Sequence, residues 1–163
     1  MFEVQTTYIL NSVSLLEFST TNHWEQPPNR DQFLEKVYDF FDYLSKKETT
    51  KAQNLLLNED FDDIQQRMHQ HLDDFAKTYL EDEEYESLSD NLSLEVSNPY
   101  EIDETLLNPE FSGKSFVAEP HETMTLNLAM RGQITNVAAR FKIIPRDGAF
   151  YLELDRFFDK NSA

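Results

Sequence analysis

Apolar and polar positions change period along this chain, and the change divides it into a helical part and a sheet part. Up to Phe18 the pattern is ambiguous: Phe2, Val4, Tyr8 and Leu10 fit a period of two, whereas Ile9, Val13 and Leu16 fit a helical face. A loop follows through Asn22, Pro27, Pro28 and Asn29, where consecutive prolines restrict the backbone. Phe33, Val37, Phe40, Phe41 and Leu44 then recur every three or four residues, which predicts a helix with Asp31 as its N-cap and Lys46 and Lys47 at its end. Thr49 or Thr50 offers a cap for a shorter helix reaching Leu57. Asp60 or Asp62 starts a third, in which Phe61, Ile64, Met68, Leu72, Phe75 and Tyr79 hold the helical spacing for almost five turns.

The last third follows a different rule. Met124, Leu126, Leu128 and Met130 alternate with Thr123, Thr125, Asn127 and Ala129, the period-two mark of a strand with one buried face. Arg131-Gly132-Gln133 predicts a turn, Val137, Phe141 and Ile143 a second strand, and Pro145-Arg146-Asp147-Gly148 another turn. Phe150, Leu152 and Leu154 supply a third strand. Strands joined by such short turns make an antiparallel meander, and the helices have matching apolar faces to cover it. Earlier, Leu92, Leu94 and Val96 alternate as one further strand, with Asn98-Pro99 and Asn108-Pro109 as turns. The expected fold is α+β, with two to three N-terminal helices packed on a curved antiparallel sheet. Residues 1–163 are read as a single domain, 1–29 as an N-terminal extension and 81–110 as an acidic segment.

Charge narrows the partners. The chain carries 31 Asp plus Glu against 14 Lys plus Arg, a formal charge of −17. That disfavours direct contact with nucleic-acid phosphates or an anionic membrane and favours a basic protein surface. Aromatics at 13% rule out a chain too polar to fold. Without cysteine there is no disulfide, thiolate ligand or cysteine nucleophile. No basic start of a signal peptide precedes Phe18 and no stretch of about 20 apolar residues follows, so a cytoplasmic location is expected.

Two local patterns carry a family likeness. Phe33 to Leu57 is a long helix running into a short one. Phe141-Lys142-Ile143-Ile144 followed by Gly148-Ala149-Phe150-Tyr151-Leu152-Glu153-Leu154-Asp155 is a terminal hairpin ending in apolar-acidic alternation. This order resembles the nuclear transport factor two family, the cone shared with ketosteroid isomerase and scytalone dehydratase. The resemblance implies a sheet wrapped around a pocket, and family members variously bind or transform small ligands, form homodimers through the sheet, or act as binding and immunity proteins. A fold of this kind does not by itself select a function.

The candidate chemistry is sparse. His69 and Asp73 are four apart on one helix, but His69 and His71 point about 200° apart around it and cannot share a metal. Asp60, Asp62 and Asp63 lack the glycine and bidentate Glu of a calcium loop and suit a helix start. A loop histidine, His121, is unremarkable. No metal or other cofactor is expected. An isomerase- or dehydratase-like enzyme would draw on Tyr38, Asp42, Tyr43, Arg140 and Tyr151, although strand parity turns Arg140 and Tyr151 away from the core.

The largest deviation is the run from Glu81 to Glu110, eleven acids without one Lys or Arg. Glu81, Asp82, Glu83, Glu84, Glu86 and Asp90 surround Tyr85, and Glu101, Asp103 and Glu104 adjoin Tyr100. Acids interleaved with aromatics offer steering and anchors to a basic partner, against the plainer reading of a solvated loop. These residues are the expected partner-binding set of a non-enzymatic inhibitor or immunity-type protein. Mimicry of a DNA phosphate surface is a narrower version of the same idea. The alternative is the cone-pocket enzyme.

Overall fold

The computed structural model describes residues 22–58, 60–79 and 96–160. Helix α1 (Arg30–Ser45) begins with a capping box. The Asn29 side chain accepts from the Gln32 backbone N–H at 2.8 Å, and Gln32 Oε1 accepts from the Asn29 N–H at 2.9 Å. The cap is therefore Asn29, and Asp31 sits in the first turn, where its charge favours the helix dipole. Helix α2 (Thr49–Gln53) is shorter than its pattern suggested and has no side-chain cap. It stops because Leu57 is used elsewhere, donating its N–H to the Leu152 carbonyl at 2.8 Å. Helix α3 (Phe61–Tyr79) is capped by Asp60, whose Oδ1 accepts from the Asp63 N–H at 3.0 Å. A 3-10 turn (Pro99–Glu101) and the one-turn helix α4 (Glu104–Leu107) lead into the sheet.

The sheet has order β1-β2-β3-β4 and is antiparallel throughout: β1 (Glu110–Phe111), β2 (Thr123–Met130), β3 (Gln133–Arg146) and β4 (Ala149–Asp159). Both long hairpins close through two-residue turns with positive φ at each position, 54° and 81° at Arg131-Gly132 and 53° and 83° at Asp147-Gly148. That is the type I′ geometry whose twist matches the strands. Pro145 and Arg146 belong to β3 rather than to the turn, paired with Phe150 and Ala149. Of the strand expected at Leu92, Leu94 and Val96, Leu92 and Leu94 lie outside the described residues. Val96 makes an isolated bridge to Met130, and the strand that flanks β2 is instead the short β1.

The core lies between the helices and one face of the sheet. Phe33, Val37, Phe40, Phe41 and Leu44 of α1 and Ile64, Met68, Leu72 and Ala76 of α3 bury against Met124, Leu126, Leu128, Phe141, Ile143, Leu152 and Leu154. Phe141 meets Phe40 at 5.8 Å and Phe41 at 5.7 Å, both edge to face. A bulge at Asp155 shifts parity, with Leu154 opposite Phe141 and Arg156 opposite Arg140. Phe157 thus reaches the core although it stands three residues after Leu154.

The exposed edge of β4 is blocked by the segments flanking the helices. Trp24 and Phe150 exchange both backbone hydrogen bonds. The Asn58 side chain imitates a strand, donating to the Leu154 carbonyl at 3.1 Å and accepting from its N–H at 2.9 Å. Residues 22–29 are in this way tied to the fold, Asn29 also bridging Val117. Among the described residues no helix is long and apolar enough to cross a membrane.

Candidate acidic docking face

Two groups of acids far apart in sequence meet on the outer side of α1. Its apolar stripe faces the sheet, so the positions between the stripes put Asp31, Glu35, Asp39 and Asp42 on the other side. Asn98 fixes the second group. Its side chain accepts from the Tyr100 N–H at 3.0 Å, shaping the 3-10 turn, and donates to Asp42 Oδ1 at 2.5 Å. Tyr100 then lies along α1, its hydroxyl donating to Asp39 Oδ1 at 2.5 Å and its ring edge-on to Tyr38 at 5.4 Å. Glu101, Asp103 and Glu104 are carried with it and are all exposed. Asp103 also caps α4, accepting from the Thr105 N–H at 3.0 Å.

The electrostatics follow from this geometry. Burial, then the hydrogen bond to Asp39 and the charges of Asp39, Glu35 and Asp42, push the Tyr100 phenol far above its ordinary range. Burial and the nearby charge of Glu104 push Tyr38 up to about 12. Hydrogen bonds from the Thr105 backbone and hydroxyl lower Asp103. Lys46 is bonded to Asp42 at 3.1 Å and is itself raised, first by that hydrogen bond. Tyr100 keeps 52% of its surface exposed and Leu106 53%, so aromatic and aliphatic surface remains available among the acids. Behind the Asn98 turn, Ser45, Lys46, Ser97, Glu101, Ile102 and Gly132 line a crevice of about 370 Å³.

The structure thus unites Tyr100, Glu101, Asp103 and Glu104 with Glu35, Asp39 and Asp42. Glu81, Asp82, Glu83, Glu84, Tyr85, Glu86 and Asp90 lie outside the described residues. The helix acids were legible in the sequence as a stripe at 31, 35, 39 and 42, on the side opposite the apolar one.

The enzyme candidates do not converge. Asp42 holds Asn98 and Lys46, and Tyr43 lies under Lys51 at 5.8 Å. Arg140 and Tyr151 sit on the solvent side of the sheet, Arg140 near Asp155 and Phe158, Tyr151 beside His23 at 5.3 Å. On α3, Asp73 pairs with Lys77 at 3.2 Å. Among the described residues no three His, Asp or Glu are gathered as a metal ion requires. No family model, curated protein or solved structure matches the chain.

Proposed function

We propose that this is a non-enzymatic acidic binding protein, which inhibits or neutralises a basic protein partner in the manner of an immunity protein. The observation that carries the reading is the seating of Tyr100 on Asp39, which gathers six acids from two chain segments around a half-exposed aromatic ring. Long-range attraction to such a face speeds encounter, and Tyr100 with Leu106 supplies apolar contact once the partner has docked. The cone-pocket enzyme is less well supported. The space between α1 and β3 is occupied by Phe40, Phe41 and Phe141, each 1% exposed or less. The sequence likeness to the nuclear transport factor two family, with a homodimer formed through the sheet, is retained as part of the proposal, and sedimentation of the free protein tests the dimer.

A pull-down from the native host at low and moderate salt tests the function. The expected result is retention of a basic protein that weakens as the Debye length shortens from about 10 Å at 0.1 M salt. Recovery of partners indifferent to salt and without net positive charge would overturn it.

A further inference from the structure

Lys36 is the one charged residue in an apolar slot of α1, three residues after Phe33 and four before Phe40. It is 8% exposed, an uncommon degree of burial for a lysine, and among the described residues it has no ion-pair partner. Its Nζ stands 3.7 Å from the centre of the Trp24 ring and donates to the Asn22 carbonyl at 3.0 Å. The amine borders a cavity of about 190 Å³ with Trp24, Gln32, Glu35, Asp39 and Leu55.

Burial outweighs the charge of Asp39 and lowers the amine to about 8. The indole face favours the protonated form by about 30-fold, for a desolvated contact of about 2 kcal/mol. The drop from 10.5 to about 8 represents roughly 300-fold, so a neutral nucleophilic fraction survives near pH 7.

We propose that Lys36 is a reactive amine whose cavity takes a small uncharged aldehyde or ketone and holds it as an imine. The Nζ lone pair forms the bond to the carbonyl carbon. The two amine hydrogens pass as protons to the carbonyl oxygen, which leaves as water, giving C=N. Glu35 and Asp39 are the charged groups bordering the amine, since the 22–24 segment presents amide and indole groups there and α2 is followed by Leu55. These carboxylates can relay the proton, and they disfavour anionic carbonyl compounds such as keto acids. Trp24 and Leu55 are the apolar side chains among the lining residues, so the site suits a carbonyl compound no larger than a few carbons. This inference does not rest on the docking reading.

The test is reductive alkylation of the whole protein with propionaldehyde and cyanoborohydride, followed by peptide mass mapping. Lys36 is expected to react about tenfold faster at pH 7 than the exposed Lys47, Lys114 and Lys160. Glyoxylate should react more slowly than propionaldehyde at Lys36. Trp24, the only tryptophan, reports occupancy by its fluorescence. Lys36→Arg keeps a cation on the ring and should abolish that response to aldehyde. Alkylation of Lys36 no faster than the three surface lysines, or a Trp24 response that persists in Lys36→Arg, would overturn the proposal.

Discussion

Replacing Lys36 by Met tests how burial acts on this amine, through stability alone. The fall from 10.5 to about 8 corresponds to roughly 3 kcal/mol of unfavourable charge burial at pH 7, since each pKa step of one is worth about 1.4 kcal/mol. Between about pH 8 and 10.5 the folded protein holds fewer protons than the unfolded chain, so stability rises with pH across that window. Linkage gives a gain of roughly 1 kcal/mol from pH 7 to 9 and roughly 2–3 kcal/mol from pH 7 to 10. Met removes the buried charge together with the ring contact and the bond to Asn22, so the stability of Lys36→Met relative to the parent should fall by roughly 2–3 kcal/mol between pH 7 and 10. Tyr38 and Tyr100, both raised, make stability fall above about pH 10 in both proteins and cancel in the difference. Urea unfolding of parent and variant at intervals from pH 7 to 10 measures it. A difference that stays constant over that range would refute the account of Lys36.

Three further substitutions probe the fold. Phe141→Ala removes the ring that Phe40 and Phe41 meet and should cost about 3–5 kcal/mol in chemical denaturation. Asn29→Ala should cost about 1 kcal/mol, whereas Asp31→Ala should cost about half that or less, which separates the observed cap from its neighbour in thermal melts. Gly113→Ala would drive its Cβ into Glu122 Oε1, which accepts from the Glu119 N–H, and should lower stability by about 1–3 kcal/mol.

The helices and the meander were legible because each has one dry face, and a dry face writes its period into the sequence. What escaped the pattern depends on contacts distant in sequence. Asp155 carries no sign of a bulge, yet the bulge is what lets Phe157 join Leu154 on the core face. The short β1 is two residues long, too short for any period, and exists through pairing with Met124 and Thr125. Asp31 looked like a cap because Asp commonly is one, but the reciprocal pair formed by Asn29 and Gln32 satisfies two backbone donors at once. At the candidate site, the acids of 101–104 were visible as composition. Their alignment with Glu35 and Asp39 rests on Asn98 and Tyr100 reaching back across more than fifty residues to α1. Lys36 had a signal in its apolar slot, while Trp24 is brought to it by strand-edge pairing with Phe150.

The docking face is tested most directly by the association rate of the recovered basic partner with two charge-matched variants. One carries Glu35→Gln, Glu101→Gln and Glu104→Gln, which change exposed acids of the face without touching the hydrogen bonds that Asp39 and Asp42 accept. The other carries Asp62→Asn, Asp63→Asn and Asp74→Asn on α3, all likewise exposed. With folding confirmed by circular dichroism, the first should slow association about tenfold at 0.1 M salt and the second about threefold or less, the gap closing toward 1 M. Equal slowing by both would mean that net charge alone steers the partner, and would contradict a docking face on α1.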